Sequence, residues 1–153
     1  MVWISKALLK LTMNYMDLHK PVIVDTSAFY ALYSIDDALH KRAKDIAKQL
    51  FQDNRRTVLL GDILTELLNI VGKKLGKQTQ EELGTTILSS TAFDIVEADL
   101  SLRELALKKL KQISISISYT DCLVMALADI YETTEIFGFD DIFRKKGYVL
   151  PHH

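Results

Sequence analysis

Four acidic residues lie where a predicted strand has just ended or a predicted helix is beginning. Asp25 and Asp140 each follow a strand directly, Asp121 opens a helix, and Glu66 lies one turn into another helix. Taken singly, each has a structural explanation, because acids cap turns and favour the positive end of a helix. Four acids at one edge of a small sheet, however, repel each other strongly in low dielectric. Such a cluster normally requires a cation.

The types of these residues also indicate which cation would bind. An all-oxygen ligand set selects Mg²⁺ or Mn²⁺ over zinc, which prefers His and Cys. The chain has a single Cys, Cys122, and none of its four histidines has a partner at zinc-ligand spacing. Mg²⁺ keeps water and phosphate oxygens as its remaining ligands, so the implied substrate is a phosphate ester. A Gly-x-Ser-x-Gly elbow is absent from the sequence, which argues against serine hydrolysis.

The elements that must position these acids follow from the periodicity of the apolar residues. Helices are predicted over about 27–32, 36 or 37 to 50, 63–75, 79–89, 101–110 and 120–131. Strands are predicted at Val22–Val24, Thr57–Leu60, Phe93–Val96, Glu135–Phe139 and Gly147–Leu150. Isoleucines alternate with serines from Ile113 to Ile117, which favours a strand, although an extended approach to the next helix is equally compatible.

Strands separated by helices predict an α/β fold with a mainly parallel sheet and helices on both faces. Ligands of such sheets bind beyond the carboxyl ends of the strands, where the four acids are expected. We expect one domain over residues 21–150 and an N-terminal amphipathic helix over residues 1–20. That helix has an apolar seam, which either lies on the domain or forms an oligomer contact; its residues are Ile4, Leu8, Leu11, Tyr15 and Leu18.

The composition of the chain excludes some classes of protein. The chain has 153 residues, 48% of them hydrophobic, and a net charge of −1, which excludes a strongly basic nucleic-acid coat protein. The sequence shows neither a signal peptide nor an apolar stretch that approaches the length of a membrane span. We therefore expect a cytoplasmic protein without a membrane partner.

Four short segments contain the four acids, and their order and spacing are more specific than any one of them: 22–27 (VIVDTS), 64–68 (LTELL), 118–123 (SYTDCL) and 139–143 (FDDIF). Through these segments the chain resembles the PIN-domain ribonucleases, and among them the VapC-like toxin type. This resemblance extends over most of the chain. It implies a PIN-like three-layer α/β/α sandwich over residues 21–150. One departure is Gly138, where the family often has Thr or Ser two places before the last acid.

The resemblance also implies an activity and a set of site residues. It implies an endoribonuclease that depends on Mg²⁺ or Mn²⁺, a hydrolase of RNA phosphodiester bonds. The catalytic and metal-binding residues would be Asp25, Glu66, Asp121 and Asp140, with Asp141 as an accessory, holding one or two ions. Ser27 and Thr120 would orient these carboxylates.

Basic residues supply candidates for RNA binding. Runs of charge are usually solvated, but Lys73, Lys74 and Lys77 end the Glu66 helix, and Arg144 closely follows Asp140. These four residues are the better candidates for contacts with RNA phosphates.

Three functions remain open from the sequence. The leading one is a ribonuclease that acts as the toxin of a toxin–antitoxin pair, a homodimer with RNA as substrate and an antitoxin protein as partner. The alternatives are a housekeeping PIN nuclease in RNA maturation and a catalytically silent PIN scaffold that binds protein or RNA. Retention of all four acids argues against the silent scaffold.

Overall fold

Short, mostly apolar strands form the centre of the fold, as they do in parallel sheets buried on both faces. The computed structural model describes residues 20–151. Its strands are β1 (Val22–Val24), β2 (Thr57–Leu60), β3 (Phe93–Val96) and β4 (Ile136–Phe137). They form one sheet in the order β3-β2-β1-β4, and every pairing is parallel. All residues of β1 and β2 are buried, which explains why these strands show no alternation of polar and apolar residues.

Helices connect the strands and flank the sheet. They are α1 (Thr26–Tyr33), α2 (His40–Gln52), α3 (Gly61–Leu75), α4 (Lys77–Ser89), α5 (Leu100–Gln112), α6 (Tyr119–Ile130) and the short α7 (Asp141–Lys145). Two helices connect each strand to the next one along the chain, which provides the long crossover connection that parallel strands need. The expected α/β architecture with a parallel sheet is therefore confirmed.

Helix α6 is the most buried helix, and it determines how the site is built. Every residue from Cys122 to Ala128 is buried, as the apolar sequence around the whole helix predicts. It packs on β1 and β4 and against α5. Its first turn thus lies beside the carboxyl ends of these two strands. No helix among residues 20–151 is long and apolar enough to cross a membrane.

Several predicted boundaries differ from the structure. Helix α2 begins at His40 rather than at Asp36 or Asp37, because the Asp37 carboxylate accepts the Leu39 amide at 2.8 Å and holds the backbone in a turn. The segment 113–117 forms no strand, and Ile115 is exposed. The predicted strand at Gly147–Leu150 is reduced to a single bridge between Glu135 and Val149. The predicted N-terminal helix lies outside the described residues.

Candidate metal centre

The chain topology brings acids together at one edge of the sheet. Strand β1 has β2 on one side and β4 on the other, so the crevice beyond β1 and β4 is where a ligand binds in such folds. Asp25 follows β1, Asp140 follows β4, and Asp121 lies in the first turn of α6. One carboxylate oxygen from each of these three residues lies within 4.8 Å of the other two.

Burial differs among the three acids and gives the cluster an open side. Asp25 is only 2% exposed, Asp121 is partly buried and Asp140 is exposed. A cation held by these oxygens would thus lie between a buried carboxylate and solvent. Because the donor set consists of carboxylates, the residues suit a hard divalent cation of the Mg²⁺ type.

Asp25 is fixed by hydrogen bonds from the residue two places further on. Its Oδ2 accepts the Ser27 amide at 3.0 Å and the Ser27 hydroxyl at 2.6 Å, so Asp25 also caps α1. The Ser27 hydroxyl in turn accepts the Phe139 amide at 2.9 Å. Ser27 therefore ties the end of β1 to the end of β4 and orients the Asp25 carboxylate between them.

The electrostatics of the cluster reflect burial and like charge. Burial raises the pKa of Asp25 from 3.8 to about 6, against the hydrogen bonds from Ser27, and the charges of Asp140 and Glu66 add to the rise. Burial likewise raises the pKa of Asp121 to about 7, with further contributions from Asp25, Asp140 and Glu66. Both shifts express first the cost of ionising a buried carboxyl group and then the repulsion from the neighbouring acids.

Glu66 lies at the margin of the cluster rather than within it. It is half-buried, and its charge acts on both Asp25 and Asp121, but its oxygens are outside the three-carboxylate group. Its Oε2 accepts the Thr26 hydroxyl at 2.9 Å. Sequence reasoning missed Thr26, although a hydroxyl residue directly after the first acid was a usable signal.

Two other predicted residues do not join the cluster. Asp141 is exposed in the first turn of α7. The Thr120 side chain makes no hydrogen bond to another residue of the described chain, and it lines a neighbouring cleft together with Glu66. Asp140 occupies the N-cap position of α7 without a side-chain capping bond, so its carboxylate is available to the cluster.

The close packing around Gly138 explains why this position has neither Thr nor Ser. A Cβ atom added at Gly138 would lie 2.7 Å from the Asp25 Cβ and 2.9 Å from the Phe143 Cε2. Both contacts are closer than real Cβ atoms allow, and Phe143 is completely buried. The glycine therefore makes room for the Asp25 side chain.

The predicted RNA-binding cations have different surroundings. Lys73 lines the cleft beside Glu66, Lys74 lies 4.6 Å from the centre of the Tyr30 ring, and Lys77 pairs with Glu81 at 3.5 Å. The Arg144 guanidinium donates to the carbonyl oxygens of Gly138 at 2.7 Å and Ile136 at 3.3 Å. Arg144 thus supports the loop before Asp140, and burial lowers its pKa.

Cys122 has no catalytic signature. It is completely buried, and burial together with the Asp121 charge raises its pKa. The thiol is therefore a small apolar core group, which is the more frequent role of a single cysteine.

Comparisons with known proteins agree with the fold and with the acids at the carboxyl ends of its strands. A sequence model described as the PIN domain matches residues 22–147, so the chain belongs to the PIN domain family. Among solved structures, it is similar to VapC20 of Mycobacterium tuberculosis, a toxin that cleaves the sarcin–ricin loop. The two share 22% identity at a TM-score of 0.75, over 86% of this chain and 99% of that one. No curated protein sequence matches the chain.

Proposed function

We propose that this protein is an endoribonuclease that requires Mg²⁺ or Mn²⁺. The observation that carries the proposal is the convergence of Asp25, Asp121 and Asp140 in a chain of the PIN domain family. Acids that lie this close, two of them with raised pKa values, are stabilised by a divalent cation. The proposal extends to an RNA substrate because VapC20, which shares the fold, cleaves an RNA loop.

In this proposal Asp25, Asp121 and Asp140 hold the cation, and Glu66 contributes its charge from the margin of the cluster. When bound, a divalent ion activates water at neutral pH and stabilises negative charge on phosphate oxygens. Ser27 keeps the Asp25 carboxylate in place through its two hydrogen bonds, and Thr26 restrains Glu66. The exposed side at Asp140 is where a phosphodiester enters.

The biological role in this proposal is that of a toxin, with an antitoxin protein as partner and a homodimer as the functional assembly. The fold shared with VapC20 supports the toxin role, and the seam predicted within residues 1–20 supports the dimer. Light scattering tests the dimer: a mass near the 17.4 kDa of one chain at micromolar concentration would contradict it. Co-purification with the product of an adjacent small reading frame tests the antitoxin.

The proposed activity is tested by cleavage of labelled single-stranded RNA with Mg²⁺, with Mn²⁺ and with EDTA. We expect cleavage only with a metal ion, and loss of cleavage in Asp121→Asn. The matched control is Asp45→Asn, which removes an exposed carboxylate from α2 and should cleave like the wild type. Cleavage that persists in excess chelator, or in Asp121→Asn, would refute the proposal.

A further inference from the structure

A second feature opens beside the acids, at the carboxyl ends of β2 and β3. It is a cleft of about 670 Å³, which we call the α3 cleft. Its walls come from α3, from the residues that follow β3, and from the starts of α5 and α6. Glu66 and Thr120 belong to both the cleft and the surroundings of the acids, so the two sites are continuous. The volume falls within the range of small-ligand pockets, about 300–1,000 Å³.

One wall of the α3 cleft is a polar stripe on a single helix. Glu66, Asn69 and Lys73 follow each other at helical spacings of three and four, so they share one face of α3. Within residues 20–151, the side chains of Asn69 and Lys73 are exposed and make no hydrogen bond or ion pair. From Glu66 to Lys73 the helix rises by about 10 Å. Unpaired donors and acceptors therefore continue from the acids along the cleft.

The α5 side of the cleft is tied to the first turn of α3. Arg103 donates to both carboxylate oxygens of Asp62 at 3.1 and 3.3 Å, and its own carbonyl accepts the Tyr119 hydroxyl at 2.7 Å. The Glu97 carboxylate lies over Gly61, where a Cβ atom would come within 2.5 Å of it. The Glu97 carboxylate acts on Arg103 through its charge but makes no ion pair or hydrogen bond within the described chain, so its oxygens can accept hydrogen bonds from a ligand.

The charges that line the α3 cleft disfavour the binding of a phosphate over most of its surface. Three acids, Asp62, Glu66 and Glu97, line it against Arg103, which is already paired, and Lys73 at the far end. A phosphate would be repelled except beside Lys73. A neutral ring with hydrogen-bonding edges is accommodated better, since carboxylates accept from amino groups of bases and Asn pairs with base edges.

We propose that the α3 cleft is the subsite for the nucleotide that neighbours the scissile phosphate, and that it selects a base with an exocyclic amino group. Glu97 accepts a hydrogen bond from that amino group, Asn69 bonds another atom of the base edge, and Lys73 contacts the next phosphate. Uracil, which presents a carbonyl oxygen where cytosine presents an amino group, is disfavoured. Recognition of unpaired bases by their edges is the common way in which proteins read single-stranded RNA. This inference rests on the proposed ribonuclease activity.

The test is a cleavage profile on RNA with a randomised single-stranded segment, read by sequencing the product ends. We expect the wild type to disfavour uracil by about tenfold at one position next to the cut, which is the scale of one base contact. Glu97→Gln offers an amide donor as well as an acceptor, so it should accept uracil. Asn69→Ala should flatten the preference at the same position, while both variants still cleave.

The control variant is Glu104→Gln, which removes an exposed carboxylate from α5 outside the cleft and should keep the wild-type profile. A wild-type profile without preference for amino-bearing bases, or unchanged profiles in Glu97→Gln and Asn69→Ala, would overturn the subsite while leaving the ribonuclease intact.

A binding measurement separates the subsite from the activity. Labelled short oligonucleotides of C, A, G or U are titrated in Ca²⁺, and fluorescence anisotropy is followed. Weaker binding of U that Glu97→Gln abolishes supports the subsite even if no cleavage is observed. Equal binding of all four, or absence of RNA binding at low salt, refutes it, and the second result would favour a protein ligand in the cleft.

Discussion

The replacement of Asp25 by Asn separates an acid that holds a cation from one that only caps a helix. Asp25 is 2% exposed, and burial is the main reason that its pKa rises to about 6. Above that pH, the ionised carboxylate destabilises the metal-free protein. Asn removes the charge and keeps an oxygen that accepts both hydrogen bonds from Ser27. We therefore expect Asp25→Asn to stabilise the metal-free protein at neutral and higher pH.

The magnitude follows from the linkage between pKa and stability. A pKa raised from 3.8 to about 6 corresponds to a folding penalty of about 3 kcal/mol when Asp25 is fully ionised. Burial of the Asn amide offsets part of the gain, so we expect a net stabilisation of about 2 kcal/mol, or about 4–8 °C in Tm.

The direction of the pKa shift determines how the stability difference depends on pH. Because the pKa is raised in the folded state, stability is highest below the unfolded pKa and is lost as the pH rises through about 6. The ionisation penalty that Asp25→Asn removes should therefore be full at about pH 8 and about half as large at about pH 5, which lies between the unfolded pKa of 3.8 and the folded pKa of about 6.

Thermal melts in EDTA at these two pH values, repeated with millimolar Mg²⁺, measure both effects. Mg²⁺ should raise the Tm of the wild type, because it binds the folded state, and should do so much less for Asp25→Asn. Asp45→Asn provides the baseline for an exposed aspartate. If Asp25→Asn is no more stable than the wild type at high pH, and Mg²⁺ has no effect on either protein, Asp25 is only a helix cap, a role that Asn fills equally well.

Three further predictions concern Gly138, Thr26 and the binding of RNA. Gly138→Ala places a Cβ atom against Asp25 and Phe143, so we expect destabilisation by about 1–3 kcal/mol in urea melts; unchanged stability would mean that the loop yields freely. Thr26→Val removes the hydrogen bond to Glu66 and should weaken metal binding by about tenfold in calorimetry, with Thr26→Ser restoring it. RNA affinity should fall steeply as salt rises, and a flat salt response would argue against phosphate contacts.

The sequence was sufficient to predict a mainly parallel sheet and the order of the helices. The β-branched run before Asp25 and the wholly apolar helix after Asp121 each correspond to a real element because burial on all sides leaves a distinct pattern. Segments at the sheet margin were predicted less well. The isoleucines of segment 113–117 alternate as in a strand, yet that segment does not pair with the sheet.

The candidate site was predictable in its residue types but not in its contacts. The sequence predicts that acids at the carboxyl ends of parallel strands share one edge of the sheet, whereas the adjacency of β1 and β4, which places Asp25 beside Asp140, is seen only in the structure. The link from Thr26 to Glu66 and the close packing of Gly138 on Asp25 depend on atoms far apart in the sequence. The position of Arg144 shortly after Asp140 predicts a phosphate contact, whereas in the structure its guanidinium donates to backbone carbonyl oxygens.

The central claim is that Asp25, Asp121 and Asp140 bind one divalent cation together. The most direct measurement is an anomalous difference map from crystals grown with Mn²⁺, with Asp121→Asn crystals as the comparison. We expect an anomalous peak bonded to oxygens of all three residues in the wild type, and a weaker or absent peak in the variant. A wild-type map with no peak between these carboxylates, or with manganese bound only elsewhere, would contradict the claim.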